Sequence, residues 1–289
     1  MLIRSSLIRN FCKMSRRKAS VRKDLKDSAA GASSKGKEVE SEESKEAKVA
    51  KWEPEKWQET LENLRSMRKD FKAPVDTMGC SRCCDEEGVE EKTKRFWALV
   101  SLMLSSQTKD QVTYEAMSRL KAEGLLPENL IKWEASKLEQ LLVPVSFYRN
   151  KAKFLKQTSQ VLVEKYNGDI PKTVEELIKL PGVGPKMAHI CMNIAWGVVS
   201  GIGVDTHVHR ITNRLKWTKK PTKEPEKTRI GLEEWLPFEL WDEINLLLVG
   251  FGQTICTPVA PKCGECANSG ICPSANIKKP KSGAKKAKK

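Results

Sequence analysis

The sequence predicts an almost entirely α-helical fold. Between residues 52 and 272, apolar side chains recur at helical spacing, and short Pro- or Gly-containing turns separate the apolar segments. The chain has 289 residues, enough for one large or two small domains, and its apolar stretches are too short to cross a bilayer. We therefore expect a helical region, with no membrane segment, between two flanking tails.

Basic residues concentrate at the two ends of the chain. Residues 1–23 hold eight basic and no acidic residues, and residues 276–289 hold seven lysines and no acid. These fifteen charges equal the formal net charge of +15, so the region between them is formally neutral. Basic runs are usually disordered and solvated, and their commonest specific uses are nucleic-acid contact and nuclear import. Residues 24–51 lack apolar anchors and indicate a linker.

The first 23 residues also fit a mitochondrial transit peptide, because they contain Arg and Ser, lack acids and are weakly amphipathic. Met14 offers a second start that would delete most of this segment. The alternative is a plain basic extension. Nine cysteines without paired secretory spacing indicate a reducing compartment, and we expect the nucleus, the mitochondrion or both.

Three apolar segments show the helical period most plainly, and we expect each to pack in a core. They are Arg95–Ser106, residues 151–166 with Phe154 among their apolar positions, and residues 239–252. Residues 171–196 predict two helices joined by a tight turn. Thr173 and Glu176 form a capping-box pattern at the start of the first helix, and Pro185 begins the second.

The turn between these two helices has the sequence PGVG, and its glycines Gly182 and Gly184 leave the backbone amides open. With the positive end of the second helix, those amides can hold a DNA phosphate without reading the base. The alternative is a purely structural turn. This helix-hairpin-helix pattern favours phosphate binding.

Lys186 follows one residue into the second helix, and Asp205 opens the next helical segment, DTHVHRITNRL. An ordinary lysine is almost fully protonated at neutral pH, so a nucleophilic lysine needs an environment that favours the neutral amine. A helix N-terminus acts in that direction. Asp205 is a natural N-cap, and a carboxylate near the amine could also stabilise a cationic sugar or carry protons. Without Asp205, a solvated phosphate contact would be the better interpretation of Lys186.

Four cysteines near the C-terminus are separated by six, two and five residues, namely Cys256, Cys263, Cys266 and Cys272. One short loop therefore carries all four, whereas structural zinc sites usually pair two close doublets across a longer gap. The spacing favours a [4Fe–4S] cluster over a zinc knuckle or unligated thiols. Cys80, Cys83 and Cys84 are interpreted as structural or incidental thiols, and His207 and His209 as phosphate or packing contacts.

With Lys186, Asp205 and the cysteine quartet in this order, the chain closely resembles the endonuclease III family of DNA glycosylases with apurinic/apyrimidinic lyase activity. The resemblance runs from about Phe96 to Cys272. It implies two helical lobes on either side of a DNA cleft. One is a six-helix barrel over residues 88–200, and the other is an iron-sulfur lobe over residues 201–275 with a flank at 52–87.

The resemblance also implies roles for individual residues. Lys186 is similar to the family's Schiff-base nucleophile, and Asp205 to its essential carboxylate. Gln107 in LSSQTKD matches the glutamine that fills the gap left by the extruded base, and Phe147 falls at the family's apolar wedge. Lys262, in the cysteine loop, is expected to meet the phosphate backbone. Ordinary cap and core roles remain alternatives for Gln107 and Phe147.

The activity implied is excision of oxidised pyrimidines from damaged double-stranded DNA, followed by strand nicking, by a monomeric enzyme. Three alternative functions remain open. A monofunctional adenine glycosylase shares the scaffold but lacks the lysine. A non-catalytic helix-hairpin-helix module would need neither Lys186 with Asp205 nor the metal loop. An iron-sulfur electron carrier would leave the hairpin and the basic tails unexplained.

Overall fold

The computed structural model of the chain describes residues 52–70 and 72–276. The predicted basic arm and linker, residues 1–51, and the tail beyond residue 276 lie outside these described residues. Within them the chain forms twelve α-helices and no strand, so the all-helical prediction is confirmed. None of these helices has the length and apolar character needed to span a membrane.

The first seven helices run from the N-terminal flank through the longest helix of the described chain. They are α1 (Trp57–Asp70), α2 (Pro74–Met78), α3 (Glu91–Ser105), α4 (Asp110–Ala122), α5 (Pro127–Leu130), α6 (Ala135–Leu142) and α7 (Tyr148–Tyr166). Five more follow. They are α8 (Val174–Leu177), α9 (Pro185–Trp196), α10 (Thr206–Leu215), α11 (Pro225–Glu233) and α12 (Trp241–Thr254). Short 3₁₀ turns cover Cys80–Cys83, Phe238–Leu240 and Cys263–Glu265.

The first hydrophobic core surrounds α3. Every residue from Phe96 to Leu104 is buried, so this helix is covered on all sides rather than along one stripe. Helices α4, α7 and α9 pack against it. The predicted core segment Arg95–Ser106 is thus confirmed. Phe154 of α7 was expected in the core as well, but it is 38% exposed, because it lies over the glycine turn between α8 and α9.

A second core joins the N-terminal helix α1 to α10, α11 and α12. Trp235 lies at its centre and makes edge-on contacts with three other tryptophans, Trp52, Trp57 and Trp217. Such pairs each contribute about 0.5–1.5 kcal/mol beyond burial. The Trp235 indole also donates to the Trp217 carbonyl oxygen at 2.7 Å, which satisfies its buried N–H.

The N-terminal flank contacts both cores. Its residues 57–67 belong to the second core, whereas Cys83 is buried in the first. Helix α2 bridges the two by packing on α4 and on α12. The prediction placed the whole flank 52–87 on the iron-sulfur lobe, whereas Cys83 is buried in the first core and Cys80 and Cys84 pack against that core.

Candidate active site and cysteine pocket

The turn between α8 and α9 is held in place by α7. Gly182 has φ +79°, and a Cβ there would lie 3.0 Å from the Phe154 ring, so only glycine fits without displacement. Thr158 donates its hydroxyl to the Pro181 carbonyl oxygen at 3.0 Å. Gly184 is the N-cap of α9, and a Cβ built on it meets no atom within 4 Å. The space beside the first amides of α9 is therefore open.

The helices of this hairpin begin largely as predicted. Helix α9 runs from Pro185 to Trp196, as expected, with proline at its first position. Thr173 caps α8 by accepting from the Glu176 amide at 3.3 Å. The reciprocal half of the capping box differs, because the Glu176 carboxylate accepts from the Thr173 hydroxyl instead of the Thr173 amide. Helix α8 is also short, since it ends at Leu177.

Lys186 occupies the second position of α9, and its side chain is exposed. Asp205 is the N-cap of α10, where its Oδ1 accepts from the Val208 amide at 2.8 Å. Within the described chain no hydrogen bond reaches Oδ2 of Asp205, so that atom can address a ligand. The cap expected for Asp205 is therefore present and uses one of the two carboxylate oxygens.

Asp110, the first residue of α4, has a half-buried carboxyl whose pKa is influenced by the charges of both Lys186 and Asp205. Burial raises the pKa of Asp110, and the charge of Asp205 acts in the same direction. A 2.8 Å hydrogen bond from Gln253 Nε2 and the charges of His207 and Lys186 oppose this rise. Lys186 and Asp205 thus lie within electrostatic reach of the same half-buried carboxyl.

Gln253 holds Asp110 in a defined orientation. Its Oε1 accepts from the Val75 amide at 3.1 Å, while its Nε2 donates to Asp110. The sequence analysis did not single out Asp110 or Gln253. Asp110 follows Gln107 by three residues in the same motif, which was the available signal. Gln253 comes from α12, 143 residues away, and no local pattern points to it.

Gln107 and Phe147 lie in neighbouring turns, and both side chains are exposed at the surface. Each has a left-handed backbone, with φ of 53° and 56°. Gln107 is exposed, and Phe147 is 62% exposed, which excludes the ordinary core alternative for the aromatic ring. The Ser146 amide donates to the Thr108 hydroxyl at 3.3 Å, so the two turns are in direct contact.

All four C-terminal cysteines line one cavity. Leu215, Phe251 and Ile255 form its apolar wall, and Arg214 and Lys262 also border it. Burial, reinforced by the neighbouring sulfurs, raises the pKa of Cys266 and Cys272. In the described part of the chain, no three His, Cys, Asp or Glu side chains are grouped so that they could hold a metal ion.

Two arginines of α10 hold the cysteine loop. Arg214 Nη1 donates to Cys256 Sγ at 3.2 Å and to the Thr257 carbonyl oxygen at 2.9 Å. Arg210 Nη2 donates to the Cys256 carbonyl oxygen at 2.9 Å and lies 3.2 Å from His207 Nδ1. A Cβ on Gly252 would lie 2.6 Å from His207 Nδ1, so α10 and α12 approach closely only because this residue is glycine.

The remaining predicted residues have simpler surroundings. Lys262 is exposed, and its ammonium lies 3.9 Å from the Glu265 carboxylate. His209 packs against Thr228, with 2.7 Å between Nδ1 and Oγ1. Cys80, Cys83 and Cys84 form no disulfide bonds. Burial raises the pKa of Cys83 to about 12 and that of Cys84 to about 11, which favours the protonated thiol at both positions.

Known proteins match this architecture over most of the chain. Residues 100–238 match the family model of the HhH-GPD superfamily base excision DNA repair proteins. Endonuclease III-like protein 1 of Gallus gallus is 60% identical over 224 residues, covering 78% of this chain and 79% of the relative. A chloroplastic endonuclease III homolog 1 of Arabidopsis thaliana is 50% identical over 230 residues, covering 77% of this chain and 60% of the relative.

A solved structure agrees with these relatives. A trapped endonuclease III–DNA covalent intermediate aligns with a TM-score of 0.65 and 28% identity, covering 75% of this chain and 94% of that one. The helical fold, the hairpin and the high identity over most of the length of the Gallus gallus relative lead to one assignment. The chain belongs to the endonuclease III family, whose members are base-excision repair DNA glycosylases with apurinic/apyrimidinic lyase activity.

Proposed function

We propose that this chain, acting as a monomer on double-stranded DNA, removes oxidised pyrimidines such as thymine glycol and then nicks the strand. The observation that carries the proposal is the placement of Lys186 in the first turn of α9, directly after the glycine turn, together with Asp205 at the N-cap of α10. The similar solved structures are endonuclease III–DNA complexes, which supports DNA as the substrate. The open surface beside the first amides of α9 leaves room for a DNA backbone phosphate to bind there.

The chemistry assigned to the site begins with extrusion of the damaged nucleotide from the stack. The Lys186 amine attacks the sugar C1′ while the C1′–N bond breaks, its electron pair leaves with the base, and the base takes up a proton. The nitrogen loses a proton and then forms the imine C1′=N as the C1′–O4′ bond of the sugar ring breaks, and O4′ takes up a proton. Loss of a C2′ proton expels the 3′ phosphate by β-elimination, and water releases the lysine. Asp205 stabilises the positive charge that develops on the sugar as the base departs.

The groups around this centre bind and shape the DNA. The first amides of α9, next to Gly182 and Gly184, hold a backbone phosphate. Gln107 fills the space of the extruded base, and Phe147 wedges between neighbouring bases. Lys262 meets the phosphate backbone, where its salt-dependent attraction adds affinity without sequence preference.

The four cysteines are proposed to bind a [4Fe–4S] cluster. A cavity with four thiols and an apolar wall suits a multinuclear cluster with one cysteine for each iron. A tetrahedral zinc ion would instead need all four sulfurs about 2.3 Å from one point. The bound cluster would act structurally, by tying the loop together so that Lys262 stays at the surface. Arg214 would donate a hydrogen bond to one ligand sulfur.

Residues 1–23 are proposed to direct part of the protein to mitochondria, and the basic tails to support nuclear import. The name of the plant relative, chloroplastic, shows that organelle forms exist among the relatives. A reporter fused to residues 1–23 should accumulate in mitochondria. The same segment with its eight basic residues changed to Gln is the control, and a diffuse cytosolic signal from the unaltered segment would remove the idea.

Lys186→Gln should reduce strand nicking by at least about a thousand-fold, because the amine nucleophile is lost. Binding to a lesion-containing duplex should stay within a few-fold of wild type. Lys179→Gln is the matched control and should nick normally, because it removes an exposed lysine between α8 and the glycine turn. Normal nicking by Lys186→Gln would disprove the assigned role.

Asp205→Asn should slow base removal by about 10²–10³-fold while the free energy of unfolding changes little, because Asn caps a helix as well as Asp does. Asp205→Ala should lose both the activity and about 1 kcal/mol of stability. Single-turnover excision and urea unfolding measure the two effects separately. Full activity of Asp205→Asn would mean that Asp205 serves only as a cap.

The purified protein should contain about four irons and four acid-labile sulfides per chain. Cys266→Ala should lower the iron content, since it removes one of four ligands. Cys84→Ala removes a thiol outside the cavity and should leave the iron content unchanged. Zinc without sulfide in the wild-type protein would contradict the proposed cluster.

A further inference from the structure

A buried lysine lies beneath the surface that carries Gln107 and Phe147. Lys151, in the first turn of α7, is only 8% exposed. Its Nζ donates to the carbonyl oxygens of Leu104 at 2.7 Å and Ser106 at 2.6 Å, and to the Thr108 hydroxyl at 3.1 Å. An ammonium has three donors, so this geometry uses all of them.

The three hydrogen-bond partners of the Lys151 ammonium are uncharged oxygens, two carbonyls and one hydroxyl. Burial lowers its pKa to about 8, yet the three acceptors favour the protonated form at neutral pH. Two of the acceptors are carbonyls at the C-terminal end of α3, which have no partner within the helix. That end also carries the negative pole of the helix dipole, which attracts a cation.

The acceptors flank Gln107 on both sides. Ser106 precedes it and Thr108 follows it, so the ammonium holds the turn at both neighbours of a residue with φ +53°. A non-glycine residue in the left-handed region is strained and persists only where its surroundings hold it. Lys151 and Thr108 supply that support for Gln107.

The turn that carries Phe147 is joined to the Lys151 ammonium through Thr108. The bond from the Lys151 amide to the Phe147 carbonyl oxygen, at 3.0 Å, belongs to the backbone and would form with any residue at position 151. Thr108 completes the connection, because its hydroxyl accepts from both Lys151 Nζ and the Ser146 amide. Lys151 therefore contacts, directly or through Thr108, both turns that expose a left-handed side chain to the surface.

We propose that Lys151 is a positioning residue that holds Gln107 and Phe147 as one rigid pair for insertion into DNA. This rests on the proposed function of those two side chains. Without this support, both turns would have to become ordered when DNA binds. The cost of that ordering would reduce the free energy available for extruding the base. The buried ammonium orders both turns during folding instead.

The test compares Lys151→Met in two backgrounds. Single-turnover excision is measured on a duplex with one thymine glycol, in the wild-type protein and in the Gln107→Ala/Phe147→Ala double variant. In the wild-type background we expect Lys151→Met to slow excision by about 10- to 100-fold, as misplacement of binding groups does. In the double variant it should slow excision by less than about two-fold, because coupled residues are not additive.

Lys156→Met is the matched control. Lys156 lies on the same helix and also donates to a backbone carbonyl, that of Trp133, but it contacts neither turn. Excision by this variant should equal that of wild type. If Lys151→Met does not fold, Thr108→Val removes the shared hydroxyl with little change of shape, and Thr108→Ser restores it. We expect Thr108→Val to slow excision and Thr108→Ser to recover most of the rate.

Two results would overturn the inference, and they are distinguishable. If Lys151→Met slows excision by the same factor in both backgrounds, the lysine stabilises the fold without acting through the inserted pair. If the Gln107→Ala/Phe147→Ala variant itself excises at the wild-type rate, the proposed role of the pair is wrong, and nothing remains for Lys151 to position.

Discussion

Helix α10 fixes the distance between the candidate catalytic carboxylate and the cysteine loop, and the rest of the site depends on this constraint. Asp205 caps one end of the helix, and Arg214 near the other end donates to Cys256 and to the carbonyls that follow it. Helix α10 has ten residues and is therefore about 15 Å long. The helix thus links the cysteine loop to Asp205 without placing the loop at the reacting atoms.

Helix α7 organises the DNA-facing elements in a similar way. Lys151, Phe154 and Thr158 follow one another at intervals of three and four residues, so they lie along one face of the helix, and Phe147 is its N-cap. Lys151 contacts the turn at Gln107, and Phe154 and Thr158 support the glycine turn at Gly182. One helix thus sets the relation between the proposed wedge and the proposed phosphate site, and both can be ordered before DNA binds.

Local patterns in the sequence predicted the elements well and the contacts between them poorly. The helix Pro185–Trp196 and the cap at Asp205 follow from proline and aspartate preferences within a few residues. Phe154 was misplaced because apolar periodicity cannot tell a core from a ring that covers a glycine. Asp110 with Gln253 and Lys151 with Leu104 pair across 143 and 47 residues, so only the folded chain brings them together.

The central claim is that Lys186 forms the covalent bond to the damaged sugar. Borohydride reduction on a duplex with one thymine glycol, followed by peptide mapping, tests it most directly, because reduction converts an imine into a permanent link. The account predicts one protein–DNA adduct, located on Lys186, with the base released. An adduct on another residue, or base excision with no adduct at all, would contradict it and indicate another nucleophile or attack by water.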